Sequence, residues 1–412
     1  MLELIAYTLV GVGLGTLTGL IPGIHVNNVC PLMVGLVAGS GLLPVNLVAV
    51  IVAMMITHTF ISYIPATFLG APEAGTELSV LPAHRLLLEG RGYEAVRLTA
   101  FGCLGALMLS AALTLPLSLV FAPTYEFIRP QMHWLLIAII VVMIALERSR
   151  AGIAWAMTIF LLSGLLGLFT LDTNLIRGDV ALLPLLSGLF GTSVLLLSAF
   201  RNSNLPEQDF NPESLEFRPN TRALCAGTGA GILTGIIPGI GPSQGTVLAQ
   251  LATRSNDTRE FLIGVSGVNT AKALFSFVAL YAIARPRSGA AVAVSQLVDK
   301  VGLSELILLV GVALMAGGIA AALHLRLGRL AARHIGVLPY RAMCLTVIGG
   351  MVVMTFWYAG LIGLLVLATG TGIGMLPATV NVKRTHCMGV IMLPCILYFA
   401  GAKDIVLSVF GL

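Results

Sequence analysis

No Asp, Glu, Lys or Arg occurs between Leu4 and Pro72. Because an ion exposed to lipid is costly, such an uninterrupted run marks membrane depth. At about 20 residues per crossing, the run holds three helices, punctuated at Pro22-Gly23 and between Gly39 and Pro44. Further apolar runs cover Leu98 to Tyr125, Pro130 to Leu146, Ala151 to Leu171 and Val180 to Phe200. The stretch Arg201 to Arg222 then gathers Asn, Pro, Glu and Asp and reads as a solvated linker. Beyond it lie Ala223 to Thr253, Phe261 to Ala284, Leu306 to His324, Ala342 to Val382 and Met388 to Ala402. Allowing two helices in each of the two longest of these later runs gives about fourteen apolar segments, some too short to cross. The amphipathic stretch Leu78 to Tyr93 reads as an interfacial helix.

An internal repeat organises this series. Residues Gly11 to Ile24 return as Gly227 to Ile240, 216 residues later, with ten identities over fourteen positions that include Gly, Thr and Pro. A fainter match pairs Phe60 to Gly75 with Leu274 to Gly289 at an offset of 214, keeping Ser62 with Ser276, Pro72 with Pro286 and Gly75 with Gly289. The expected organisation is a first membrane repeat (1–200), a polar linker (201–222) and a second membrane repeat (223–412). Arg85, Arg91 and Arg97 follow the third segment of the first half. Arg326, Arg329, Arg333 and Arg341 follow the fourth segment of the second. If basic loops are cytoplasmic, corresponding loops lie on opposite sides and the halves are inverted. The expected fold is therefore all-α: a polytopic membrane protein of two pseudo-symmetric, inverted repeats with Pro-Gly-broken or re-entrant helices, multi-pass in the cell membrane.

Composition agrees with this reading and narrows the function. The chain has 412 residues, 57% of them apolar and 10% charged. Soluble domains carry about 25% charged residues. The net charge of +5 resides in short loops between apolar runs, where topogenic Arg accounts for it, and no nucleic-acid partner is implied. The six cysteines stand singly, without metal-ligand spacing, so no metal site is expected. No Walker or HExxH motif occurs, and no enzyme, catalytic residue or ATP-driven pump is expected.

The repeated motif has a physical meaning. Its glycines let another helix approach the backbone, while Pro22-Gly23 and Pro238-Gly239 end the helix. Broken backbone at membrane depth persists only inside protein or along a watery cavity. His25, Asn27 and Asn28 follow the first break, and Ser243 and Gln244 the second. They sit where the next helix offers free N–H groups and its positive dipole end, a natural anion site. With Thr18, Gly19, Thr234 and Gly235 before the breaks, these residues form the candidate substrate site. His58, Asn269 and the intramembrane Lys272 join them as polar groups on the following helices. Lys272 must pair, neutralise or face water; an anionic substrate and Glu73 are its two candidate partners. Glu73 and Glu77 are candidates for carrying a coupling ion.

The duplicated Gly-x-Gly motif ending in Thr-Gly-x-x-Pro-Gly, the segment Ile64 to Pro72, and the stretch Leu88 to Ala95 resemble the large membrane subunit of the tripartite tricarboxylate transporters. The resemblance covers the first hundred residues and Ala223 to about Val298. It implies an ion-gradient-driven permease that works with a small membrane subunit and a periplasmic binding protein for citrate-like acids. It also implies that Thr18 to Gly23 and Thr234 to Gly239 are the binding loops.

The expected function is secondary active transport of a small di- or tricarboxylate by alternating access, with H+ or Na+ coupling and no other cofactor. The alternative is a translocase of a polyprenyl-phosphate lipid carrier, its phosphate held at the same Pro-Gly loops. The expected partners are the anionic substrate, membrane lipids, an accessory membrane subunit or binding protein, and further copies of the chain.

Overall fold

The computed structural model describes residues 2–21, 26, 29–30, 33–34, 43–71, 75–147, 149–173, 175–177, 180–199, 206–210, 217–237, 241–255, 257–298, 300–335 and 340–409. Among them every regular element is a helix. The first half contains α1 (Leu2–Leu20), α2 (Pro44–Ile61), α3 (Tyr63–Phe68), α4 (Val80–Leu88) and the long α5 (Gly92–Ile128). It continues through α6 (Met132–Ala145), α7 (Arg150–Leu171), α8 (Leu182–Leu186) and α9 (Ser193–Ala199). The second half contains α10 (Phe217–Ile236), α11 (Pro242–Thr253), α12 (Thr258–Ile283), α13 (Gly289–Leu297) and α14 (Leu303–His334). It ends with α15 (Tyr340–Thr379), α16 (Gly389–Phe399) and α17 (Lys403–Val409).

Local chemistry sets several of these starts. Pro44 opens α2 at a position where its missing N–H costs nothing. The Asp257 carboxylate caps α12 by accepting from the Arg259 N–H at 3.1 Å. Glu305 in the first turn of α14 accepts from the Gly302 N–H at 2.9 Å, and Arg333 and His334 sit in its last turn, both complementing the helix dipole.

The helices that carry the two polar clusters are the most deeply covered. Every residue of α2 from Asn46 to Ile61 is buried, and α12 is buried from Leu262 to Leu280 except Lys272, which is half-buried. A helix that is apolar all round belongs in a core. These two form its axis, with α1 packed on α2 and α10 packed on α12. The glycines set both approaches in one register. A Cβ on Gly15 would stand 2.6 Å from the Met54 carbonyl and 2.7 Å from the Thr57 Cβ. On Gly231 it would stand 2.5 Å from the Val268 carbonyl and 2.7 Å from the Ala271 Cβ. Met54 and Val268, like Thr57 and Ala271, are 214 residues apart. The same register makes His58 the counterpart of Lys272.

The halves also cover each other. The first half's α5 lies along α12 of the second, with Gly102 against the Ile263 carbonyl, while α14 of the second lies along α2 of the first. At one end Glu94 accepts from Arg91 at 2.8 Å and from Arg259 of α12 at 2.6 Å.

Among the described residues, seven helices are long and apolar enough to cross a membrane, or eight if the bent pair Arg384–Phe399 and Lys403–Val409 counts as one span. One join differs from the expected segmentation. A single 3-10 turn, Arg129–Gln131, absorbs Pro130 and joins α5 to α6. The long run Ala342 to Val382 is divided as expected: Tyr340–Thr379 comprises two helices separated by a kink at Gly360 (φ 64°, ψ −157°). Two other expectations change. The interfacial helix is the shorter α4, which turns Val80, Ala83, His84, Leu86 and Leu87 into the protein. The linker is not wholly solvated: Gln208 is buried, accepting from the Gly92 N–H at 2.9 Å and donating to the Leu87 carbonyl at 3.1 Å.

Candidate functional site

The first turn of α11 begins at Pro242, directly after Gly241, whose N–H donates to the Gln244 Oε1 at 2.7 Å. This local closure fixes the Gln244 side chain and leaves its Nε2 buried without a hydrogen-bond partner. Beside it the buried Ser243 hydroxyl donates to Glu77 Oε1. Glu77 belongs to the turn 75–79 between α3 and α4, and its other oxygen, Oε2, accepts from the Gly75 N–H.

Gly75 holds this turn in place. Its φ of +106° suits glycine alone, and a Cβ there would collide with the Asn269 side chain. The wholly buried Tyr63 supports the same turn from α3, its hydroxyl 3.4 Å from the Gly75 carbonyl and 3.2 Å from the Val265 carbonyl of α12. Lys272, three residues beyond Asn269 and so on the same face of α12, lies within electrostatic reach of Glu77. Burial raises the Glu77 carboxyl above the usual carboxylate range, opposed by the hydrogen bonds from Ser243 and Gly75 and by the Lys272 charge. The α2–α12 crossing beside the site brings the Thr59 and Thr270 hydroxyls to 3.5 Å.

The structure thus brings together Ser243, Gln244, Asn269 and Lys272 of the expected substrate residues with Glu77 of the expected ion-coupling pair. Lys272 lies within electrostatic reach of Glu77; its expected partner Glu73 lies outside the described residues. Thr18 and His58 make a second pair, between α1 and α2, with Thr18 Oγ1 and His58 Nδ1 3.1 Å apart. Thr234 donates to the carbonyl of Gly231 on its own helix at 2.9 Å. Gly19 and Gly235 are packing positions, facing Ile61 and Phe275 respectively. Pro22, Gly23, His25, Asn27, Asn28, Glu73, Pro238 and Gly239 lie outside the described residues. Sequence reasoning missed Tyr63 and Gly75. The Gly75–Gly289 match was a signal for the second; nothing in the apolar run singled out the first. No group of three His, Cys, Asp or Glu placed to hold a metal ion occurs among the described residues.

The sequence profile of the tripartite tricarboxylate transporter TctA family matches residues 5–389. The chain belongs to the TctA family. It is a multi-pass membrane permease of the tricarboxylate-transporter type, in a family of transporters rather than enzymes. The match runs well beyond the two stretches that carried the sequence resemblance. An uncharacterised protein of Methanocaldococcus jannaschii is 28% identical over 407 residues, covering 97% of this chain and 99% of the relative. No solved structure matches the chain. These matches lend no support to the lipid-carrier alternative.

Proposed function

We propose that this TctA-family permease moves a small di- or tricarboxylate by alternating access. The observation that carries the reading is the Gln244 amide: a buried Nε2 with no partner, beside the Ser243 hydroxyl and at the start of a helix. An unpaired buried donor costs about 1–3 kcal/mol, and an entering carboxylate oxygen removes that cost. The helix dipole and Lys272 both favour a negative charge at this place. In this reading, the two similarly packed helix pairs α1–α2 and α10–α12 belong to inverted halves that rock about the site. The drive is an ion gradient, and an accessory membrane subunit with a binding protein delivers the substrate, as the family name's tripartite organisation suggests.

The test is a thermal-shift screen of purified protein against citrate, tricarballylate, succinate and inorganic phosphate, since a ligand that binds only the native state raises apparent stability. Stabilisation by a carboxylate that Gln244→Ala and Ser243→Ala each weaken at least tenfold in concentration dependence supports the reading. Stabilisation by none of the carboxylates, in protein that unfolds cooperatively, contradicts it.

A further inference from the structure

One donor proposed for the substrate, the Ser243 hydroxyl, already holds a carboxylate. Ser243 donates to one oxygen of Glu77, the Gly75 N–H donates to the other, and the Lys272 charge lies within electrostatic reach. Glu77 is 4% exposed and Ser243 is buried, while Lys272 is half-buried. It arrives on a turn rather than a helix, and the turn rests on Gly75 and on the Tyr63 hydroxyl. The titratable groups facing it are Lys272 of α12 and Tyr63 of α3, with Cys103 of α5 acting on Tyr63 from behind. Among the described residues, one carboxylate and one ammonium make the cluster neutral.

That neutrality restricts what can enter. A second carboxylate brought to Ser243 and Gln244 leaves the buried cluster with a net negative charge, and an uncompensated buried charge costs several kcal/mol. The cost disappears if Glu77 takes up a proton as the anion arrives. The protonated acid no longer needs the Ser243 hydroxyl or the Lys272 charge, and the incoming carboxylate takes both. We infer that Glu77 is a tethered stand-in for the substrate carboxylate: the two compete for Ser243 and Lys272, so that each anion binds together with one proton. This rests on the small-carboxylate reading above and gives that site its coupling device.

The experiment is citrate binding to the purified chain by isothermal titration calorimetry at pH 7, 7.5 and 8, where citrate is almost fully ionised and Lys272 keeps at least about half its charge. Competition predicts that the Kd weakens about tenfold per pH unit, the slope of a one-proton linkage. Glu77→Gln should flatten that slope to less than about twofold per unit. A slope that persists in Glu77→Gln overturns the inference. Should Glu77→Gln not fold, proton uptake by the unaltered protein decides. Adding citrate in weakly buffered solution with a pH indicator should remove about one proton per citrate bound, and none removed overturns the inference. Absence of any citrate binding to the unaltered protein removes the carboxylate reading itself, and the competition with it.

Discussion

Glu77 and Lys272 illustrate how a pair of charges can be tolerated among apolar helices. Each alone is a buried ion; together, with Ser243 and the Gly75 N–H, they are compensated. Removing one partner of such a pair costs about 3–5 kcal/mol, whereas removing both together can be close to neutral. Lys272→Met should therefore lower the apparent melting temperature strongly, and the double variant Glu77→Gln/Lys272→Met should recover most of the loss. Additive losses in a thermal-unfolding series would mean that the two do not act as a pair. Lys272 was legible in the sequence because a lysine in an apolar run demands a partner. The approach of Glu77 was not, because it depends on the left-handed Gly75 turn, which the apolar run does not announce.

At the scale of elements, the duplicated glycines do in three dimensions what their spacing suggested. Gly15 and Gly231 bring α1 onto α2 and α10 onto α12 with the same closest approaches. Either Gly15→Val or Gly231→Val must push a helix off its partner's carbonyl, and overpacking of this kind costs about 1–3 kcal/mol. Both should destabilise by comparable amounts, while Gly13→Val and Gly229→Val, whose Cβ positions meet nothing within 4 Å, should not. Helix joins were less legible, because Pro130, carried through one 3-10 turn, looks like a break in sequence, whereas Gly360 is a true one. The short α4 adds a pH dependence. Burial lowers the His84 pKa, opposed by the Thr67 carbonyl at 3.2 Å. The folded state therefore prefers neutral His84. Its contribution is complete above the ordinary histidine pKa of about 6.5 and is lost as pH falls through the depressed folded value. Melting temperature should fall with acidification in that window, and His84→Gln should reduce the dependence; an unchanged profile would assign it to other groups.

For the molecule as a whole, the interlocking of the halves has consequences that no repeat alignment displays. Each central helix is covered by a long helix of the other half, α12 by α5 and α2 by α14, and Glu94 ties the first turns of α5 and α12 together through Arg259. Neither half has its core without the other. Expressed separately, residues 1–205 and 211–412 should each be protease-sensitive, whereas co-expression should yield a complex that co-purifies through a tag on one piece. Recovery of a stable single half would contradict this. The sequence displayed two similar halves but not their mutual cover, since both faces of a fully buried helix read alike as apolar.

The central claim is that the cluster at the start of α11 binds a carboxylate that this permease carries across the membrane. Its most direct test is counterflow: purified protein in liposomes preloaded with unlabelled citrate, measured for uptake of radiolabelled citrate from outside. The account predicts uptake well above protein-free liposomes, reduced at least tenfold by Gln244→Ala. Uptake at the background level by correctly inserted, folded protein, or uptake that Gln244→Ala leaves unchanged, would contradict it.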